Sequence, residues 1–193
     1  MAEARRHYED ALAAWLRALG VPHLGVDETR RACSATTTDP PTLKSFDAVL
    51  FGPRRHLLIE VKGRKLRARP TPKRAGAPAP PRFDAWTTLA DVESLGVWER
   101  LFGEPYTAAL AFVFWCDRPP AAALFEGVFE HRGRWYQTRV VTLAAYRASM
   151  RTRSPRWRTV AVPHAEFERV SIPLSAAGVL GPGTAPASGA GLE

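Results

Sequence analysis

The chain has 193 residues, a mass of 21.3 kDa, a formal net charge of +8 and a sequence pI near 10.2. This length suits one domain that builds its own core without disulfides. Cys33 and Cys116 form no Cys-x-x-Cys pair and no cysteine-histidine cluster, which excludes a zinc-finger class of protein and fits a reduced, cytoplasmic chain. The charged, amphipathic start predicts neither a secretory signal nor a membrane span. The positive charge predicts a polyanionic partner.

The first part of the chain predicts a helix, an extended segment and a hairpin. Apolar residues spaced three and four apart from Tyr8 to Leu19 predict an amphipathic helix, which Gly20 ends. An extended segment is expected over 26–35, a loop over 36–41 and a hairpin over 44–62. The proline-rich, basic stretch 64–82 cannot bury much apolar surface, so it is predicted to be a mobile loop.

The second part predicts one long helix region and several strands. Thr87 or Thr88 is expected to cap a helix that is interrupted at Gly96 and closes over 98–103. A buried strand over 108–115, strands over 123–130 and 135–141 joined by a turn, a short helix from Thr142 to Met150, and strands over 156–162 and 170–172 follow in that order. The Gly, Ala, Pro and Ser content of 175–193 predicts a disordered tail. Residues 1–174 are therefore predicted to form a single α/β domain with a mixed central β-sheet flanked by helices.

Charged residues interrupt the two apolar strands of the predicted hairpin. A four-residue turn pairs Phe51 with His56, and the same register pairs Asp47 with Glu60. Strand alternation places Lys62 on the face of these two acids. A slip of one residue would separate the three side chains, so the prediction depends on this register.

The paired carboxylates predict a metal site that hydrolyses phosphodiester bonds. An ionised carboxylate in an apolar strand is costly unless it is paired or binds a cation. Magnesium prefers oxygen ligands and often uses one or two carboxylates, so Asp47 and Glu60 are sufficient as direct ligands, with manganese as a substitute. Lys62 is expected to orient or help deprotonate the attacking water and to stabilise developing charge. The alternative is a structural ion pair in which Lys62 or arginines neutralise the acids.

Basic residues cluster in two acid-free runs, which predict contact with nucleic acid. The first run contains Arg64, Lys65, Arg67, Arg69, Lys73, Arg74 and Arg82, and the second contains Arg147, Arg151, Arg153, Arg156 and Arg158. Arg64 and Lys65 directly follow the candidate site and are predicted to hold the substrate backbone, with Arg30 and Arg31 behind them. The predicted nucleic-acid-binding set also includes Arg67, Lys73 and Arg74. The alternative is an arginine-rich surface that is merely solvated.

The spacing of Asp47 and of the run Glu60-Val61-Lys62, preceded by a helix that contains Glu9, resembles the PD-(D/E)XK nuclease superfamily. Phe46 stands where that superfamily's name has proline. The run His7-Tyr8-Glu9-Asp10-Ala11 resembles the start of the HYExAFE family of uncharacterised planctomycete proteins, with Leu12 and Ala13 in place of its final Phe and Glu. Further similarity over 45–65, 98–103 and 111–114 extends the resemblance to about Cys116.

The resemblance implies a restriction-endonuclease-like core and adds two members to the site. Glu9 would be an outer ligand acting through water or a second metal ligand, whereas a solvated helix-edge acid is the alternative. The backbone carbonyl of Val61 would be a further metal ligand.

The sequence thus predicts a magnesium-dependent nuclease that cleaves DNA, with RNA as the less favoured alternative substrate. A nucleic-acid-binding module of the same fold that lacks turnover is the alternative, and an interaction protein with purely structural acids is a third reading. A homodimer is one expected assembly, and no membrane partner is expected.

Overall fold

A computed structural model describes residues 3–26, 43–66, 82–117 and 127–179. The helices in these ranges are α1 Glu3–Ala18, α2 Leu89–Phe102, α3 Leu143–Ser149 and α4 His164–Val170, with a short 3-10 turn at Leu174–Ala176. The strands are β1 His23–Gly25, β2 Ala48–Phe51, β3 His56–Leu66, β4 Ala85–Thr88, β5 Tyr106–Cys116, β6 Val128–His131, β7 Arg134–Thr142, β8 Arg151–Ser154 and β9 Thr159–Val162. Across the described ranges, no helix has the length and apolar character needed to cross a membrane.

Helix α1 forms because its apolar residues recur on one face. Ala11, Leu12, Trp15 and Leu16 are all buried, as the three-and-four spacing predicted. The helix ends where Gly20 adopts a positive φ of 64° and its N–H donates to the carbonyl of Arg17. Such a conformation costs glycine little, so the predicted helix end is confirmed.

The central sheet has six strands in the order β1-β2-β3-β5-β7-β6. Strands β3 and β5 pair in parallel over eleven residues at the centre, and the other pairs are antiparallel. β5 is buried along most of its length, as expected for a strand covered on both faces. The predicted mixed sheet flanked by helices is therefore confirmed.

Side-chain alternation along β3 divides the core into two layers. Leu57 and Ile59 face α1, and Val61 packs against the same cluster. Leu58 faces the opposite layer, which is built from α2, α3, α4 and the inner side of β9. Because Glu60 and Lys62 alternate with Val61, they lie on the α2 side of the sheet.

A second, three-stranded antiparallel sheet in the order β4-β9-β8 lies on the α2 side. The buried Tyr146 side chain of α3 donates to the carbonyls of Ala85 in β4 and Val160 in β9. These bonds attach the small sheet to the core. Strand β8 and helix α4 were not predicted, because short elements with exposed or mixed side chains carry little periodic signal.

The predicted interruption at Gly96 is wrong, because α2 continues through this residue. A β-carbon at Gly96 would lie 2.3 Å from a terminal nitrogen of Arg147, whose guanidinium donates to the carbonyl of Val92. The glycine therefore makes room for a side chain from α3, and this packing offsets its low helix propensity.

Two predicted boundaries also move. Arg64 and Lys65 belong to β3, which runs to Leu66, so the predicted loop cannot begin at residue 64. Ala177 and Val179 are buried against the α1 layer, so the ordered chain extends beyond the predicted boundary at 174. Most of the predicted extended segment at 26–35, the loop at 36–41, the stretch 67–81 and the tail from 180 lie outside the described residues.

Candidate active site

The β2–β3 hairpin has the predicted register. Phe51 pairs with His56, and the pairing continues to Ala48 opposite Ile59. Asp47 lies one residue before β2, where its backbone N–H still donates to the carbonyl of Ile59 at 2.8 Å. Asp47 is therefore held at the end of the β2–β3 pairing, next to Glu60, the first residue of β3 beyond that pairing.

Beyond the end of β2, the Asp47 side chain accepts a hydrogen bond from the backbone of β3. Its Oδ2 accepts the N–H of Val61 at 2.5 Å. Asp47 also acts electrostatically on Glu60, since its charge raises the pKa of that carboxyl group. The structure therefore brings Asp47 and Glu60 close together.

Lys62 connects Glu60 to helix α2. Its Nζ lies 2.6 Å from Oε1 of Glu60 and 2.9 Å from Oδ2 of Asp91, and each of the Glu60 and Lys62 side chains is only 14% exposed. The ammonium is thus shared by two carboxylates on different elements. Such charge-assisted hydrogen bonds fix the position of Lys62.

Asp91 is a site residue that was missed by the sequence analysis. It is the third residue of α2, and its backbone N–H donates to Oγ1 of the cap residue Thr88 while its Oδ2 accepts the Thr88 N–H. Oδ2 also accepts from Thr87, and Oδ1 accepts from Lys44 at 2.9 Å. The Thr-x-x-Asp spacing was the available signal, but only the structure shows that this cap faces Lys62.

Burial and neighbouring charges shift the pKa values of the three linked groups. Burial, helped by Asp47 and Asp91 and opposed by Lys62, raises the pKa of Glu60 to about 7. Burial alone would lower the pKa of Lys62, but the charges of Glu60 and Asp91 outweigh it and raise that pKa. For Asp91, burial is outweighed by the charge of Lys62 and by hydrogen bonds, so its pKa is lowered. Lys62 therefore stays cationic, whereas Glu60 gives up its proton reluctantly.

The two carboxylates Asp47 and Glu60 are oxygen donors of the kind that suits a hard divalent cation with few protein ligands. Among the described residues, no three His, Cys, Asp or Glu side chains form a group that could hold a metal ion. Magnesium nevertheless keeps several waters and is often bound through one or two carboxylates. Asp47 and Glu60 meet this requirement, because they are adjacent and the repulsion and burial that raise the pKa of Glu60 would be relieved by a cation.

Helix α1, which carries Glu9, lies on the opposite side of the sheet from Glu60. Helix α1 packs on the Val61 side, and the Glu9 side chain is exposed. A β-carbon at Gly63 would lie 2.1 Å from Cδ2 of Tyr8, so this end of α1 is level with the site along β3. The start of α1 is therefore level with the candidate site along β3, but it lies on the opposite face of the sheet.

The two basic residues that follow the site point in opposite directions. Arg64 lies on the α2 side, with its guanidinium carbon 4.1 Å from the centre of the Trp86 ring. Lys65 lies on the α1 side, 4.5 Å over the ring of Trp115 and 2.8 Å from Asp117. The two side chains therefore lie on opposite faces of the sheet. The other predicted nucleic-acid contacts lie outside the described residues: Arg30, Arg31, Arg67, Lys73 and Arg74.

The fold is similar to a solved structure of Hjc, a Holliday junction resolvase from the archaeal hyperthermophile Archaeoglobus fulgidus. The TM-score is 0.50 at 18% sequence identity, and the match covers 90% of this chain and 98% of Hjc. No family model and no curated protein matches the chain. The similarity to Hjc shows that the mixed α/β fold is restriction-endonuclease-like, as the sequence predicted.

Proposed function

We propose that this protein is a metal-dependent nuclease of the PD-(D/E)XK superfamily that hydrolyses phosphodiester bonds of DNA. The observation that carries the proposal is the placement of Asp47, Glu60 and Lys62 at the open end of the β2–β3 hairpin in a restriction-endonuclease-like fold. Buried acids beside a fixed cation are also the arrangement from which functional sites are inferred on electrostatic grounds.

Asp47 and Glu60 are proposed to bind magnesium, with manganese as a substitute and the Val61 carbonyl as a further ligand. When bound, the ion supplies charge stabilisation at the phosphate and a more acidic water. Asp47 already has one oxygen fixed by the Val61 N–H, and Glu60 has one fixed by Lys62. These hydrogen bonds restrain both carboxylates.

Lys62 is proposed to stabilise the negative charge that develops on the phosphate and to position the attacking water. Because the carboxylates around it raise its pKa, the ammonium favours charge stabilisation over proton abstraction. Asp91 is a positioning residue, since it holds Lys62 from helix α2.

Glu9 is proposed only as an outer ligand that acts through water. Its exposed position on the α1 side of the sheet does not favour direct coordination of the same ion as Glu60. Membership of the HYExAFE family is likewise proposed, on the His7-Tyr8-Glu9-Asp10-Ala11 run and the further similarity that extends to about Cys116.

DNA is the proposed substrate because the fold neighbour Hjc is a Holliday junction resolvase and because the chain is strongly basic. Branched DNA is therefore the first substrate to test. A homodimer would suit a two-fold symmetric junction, and it forms part of the proposal.

A nucleic-acid-binding module without turnover is the second candidate. The observation that favours it is the ion pairing of Lys62 with both Glu60 and Asp91, which would also stabilise an inert fold. This candidate predicts DNA binding that is steeply dependent on salt, with no cleavage under any metal condition.

The test is cleavage of end-labelled branched, duplex and single-stranded DNA, and of matched RNA, with magnesium or manganese. Wild-type protein should cleave branched DNA, and Glu60→Ala and Lys62→Ala should lose about 100-fold or more of the rate. Arg54→Gln, at the exposed hairpin turn far from the site, is the matched control and should keep the wild-type rate. Equal cleavage by all variants would reveal a contaminant, and DNA binding without cleavage would favour the second candidate.

A further inference from the structure

A basic groove runs along the edge of the small β4-β9-β8 sheet. Its volume is about 1000 Å³. Among the described residues that line it, Asp84 is the one acid, and the basic residues are Arg64, Lys65, Arg82, Arg151 and Arg153; the ammonium of Lys65 is directed to Asp117 instead. This groove contains residues of strand β8 and Arg64 at the end of β3.

Two of these arginines contact the ring of one tryptophan. The guanidinium of Arg64 lies 4.1 Å from the centre of the Trp86 ring, and that of Arg153 lies 4.9 Å from it. Arg64 also donates to the carbonyls of Gly63 and Trp86. Because the indole already carries two guanidinium groups, the groove is suited to phosphate contact rather than to base stacking.

Arg64 and Arg153 repel each other, and Asp84 supplies a counter-charge. Burial is the largest cause that lowers the pKa of Arg64, the charge of Asp84 raises that pKa, and the charge of Arg153 lowers it. Asp84 is the nearby counter-charge, but it contacts Arg153 only at 3.4 Å with both side chains about half exposed. The Nε of Arg64 is buried and has no hydrogen-bond partner among the described residues. An anion in the groove would relieve this repulsion.

The chain's neighbouring segment does not supply that anion. Residues 67–81, which connect β3 to the groove residue Arg82, contain no aspartate or glutamate and add further basic residues. Arg82, Arg151 and Arg153 are exposed and belong to the rim, so no part of the chain that the structure describes covers these side chains.

The groove residue Arg64 lies close to the candidate active site along β3. Arg64 follows Lys62 by two residues on the same face of β3, a separation of about 6.6 Å along an extended strand. Successive phosphates of one strand in duplex DNA advance about 3.4 Å along the helix axis. A strand whose scissile phosphate lies at Lys62 would therefore pass Arg64 within one or two nucleotides.

We propose that the groove between Arg64 and the β8 arginines Arg151 and Arg153 binds the phosphodiester backbone of one DNA strand beside the scissile phosphate. This inference rests on the proposed nuclease function, which places the scissile phosphate of the DNA strand at Lys62. Arg64 is held against Trp86, and Arg82, Arg151 and Arg153 contact phosphates from the rim. The small sheet is thus a substrate-binding element and gives affinity without base specificity.

The experiment measures binding of a fluorescein-labelled single-stranded DNA at several salt concentrations, without divalent metal. Arg151→Gln/Arg153→Gln should reduce the slope of log affinity against log salt by about 1.4, since each lost phosphate contact removes about 0.7 for a single strand. Arg82→Gln/Arg151→Gln, which leaves the Arg153 contact with Trp86 intact, should have a similar effect. The matched control is Arg54→Gln/Arg100→Gln, which removes the same charge from exposed positions near the opposite end of β3.

The groove is supported if both groove variants lower the slope and the control pair keeps the wild-type slope. It is overturned if the groove variants keep the wild-type slope or if the control pair lowers it equally. Cleavage is measured separately with saturating protein and magnesium. If the wild-type protein does not cleave DNA but the groove variants still lower the slope, the nuclease proposal is refuted. The groove would then remain supported as a nucleic-acid-binding site.

Discussion

Lys62 in β3 and Asp91 in α2 are joined by a hydrogen bond of 2.9 Å between Nζ and Oδ2. The same carboxylate closes the capping box of α2 with Thr88. One acid therefore both begins a helix and holds the ammonium of the candidate site. The stability of the helix start and the geometry of the site are consequently linked.

Removing the charge of Asp91 should affect both stability and cleavage. Asp91→Asn keeps an oxygen for the cap but loses the charge that pairs with Lys62, so it should lower the free energy of unfolding by about 1 to 3 kcal/mol and slow cleavage at saturating DNA by roughly tenfold. Urea denaturation and single-turnover cleavage measure the two effects.

Thr88→Ala is the control for the cap alone. It should cost about 1 kcal/mol and leave the cleavage rate unchanged, because the Thr88 hydroxyl contacts the backbone N–H of Asp91, whereas Lys62 is held by the Asp91 carboxylate. If Asp91→Asn behaves like Thr88→Ala in both measurements, Asp91 is only a cap.

Glu60 should make the metal-free protein less stable as pH rises. Its pKa is raised from 4.5 to about 7 in the folded chain, so the native state binds more protons than the unfolded state between these values. Stability therefore falls as pH rises through this window. Glu60→Gln should remove that loss, on the order of 1 to 3 kcal/mol above the window.

The measurement is urea denaturation of both proteins in a chelator, at several pH values from below 4.5 to above 7. The difference in the free energy of unfolding should be small at the acidic end and should grow in favour of Glu60→Gln. Parallel pH profiles for the two proteins would contradict the raised pKa of Glu60.

Gly63 should tolerate no side chain. A β-carbon there would lie 2.1 Å from Cδ2 of Tyr8, so Gly63→Ala must displace this ring and loosen α1 against β3. The expected cost is about 1 to 3 kcal/mol. Gly25→Ala is the matched strand control, because nothing lies within 4 Å of its β-carbon position, and it should change stability by less than about 0.5 kcal/mol. Equal costs, measured by thermal or urea unfolding, would show that Tyr8 does not require Gly63.

The hairpin could be predicted because its signals are local. Alternating apolar residues and a turn set the Phe51 to His56 register, and this register places Asp47 beside Glu60. Asp91 could not be predicted as a site residue, because its meaning depends on α2 packing over β3. The Gly96 prediction failed for a similar reason: Arg147, distant in sequence, fills the space above the glycine.

The groove was only partly visible in sequence. The acid-free arginine run that contains Arg151 and Arg153 indicated nucleic-acid contact, but its conformation as strand β8 and its approach to Trp86 depend on long-range pairing with β9. For Glu9, the resemblance and the position of its helix point to different places. The resemblance assigned it to the site, whereas the sheet separates α1 from the face that carries Glu60.

The most direct test of the account is the single-turnover cleavage rate of branched DNA by wild type and Glu60→Gln as magnesium is titrated. The account predicts a wild-type rate that rises to saturation with magnesium and vanishes in a chelator, and a rate at least about 100-fold lower in Glu60→Gln, although that variant remains folded and binds DNA. A wild-type rate that is independent of magnesium, or an equal rate in the two proteins, would contradict it.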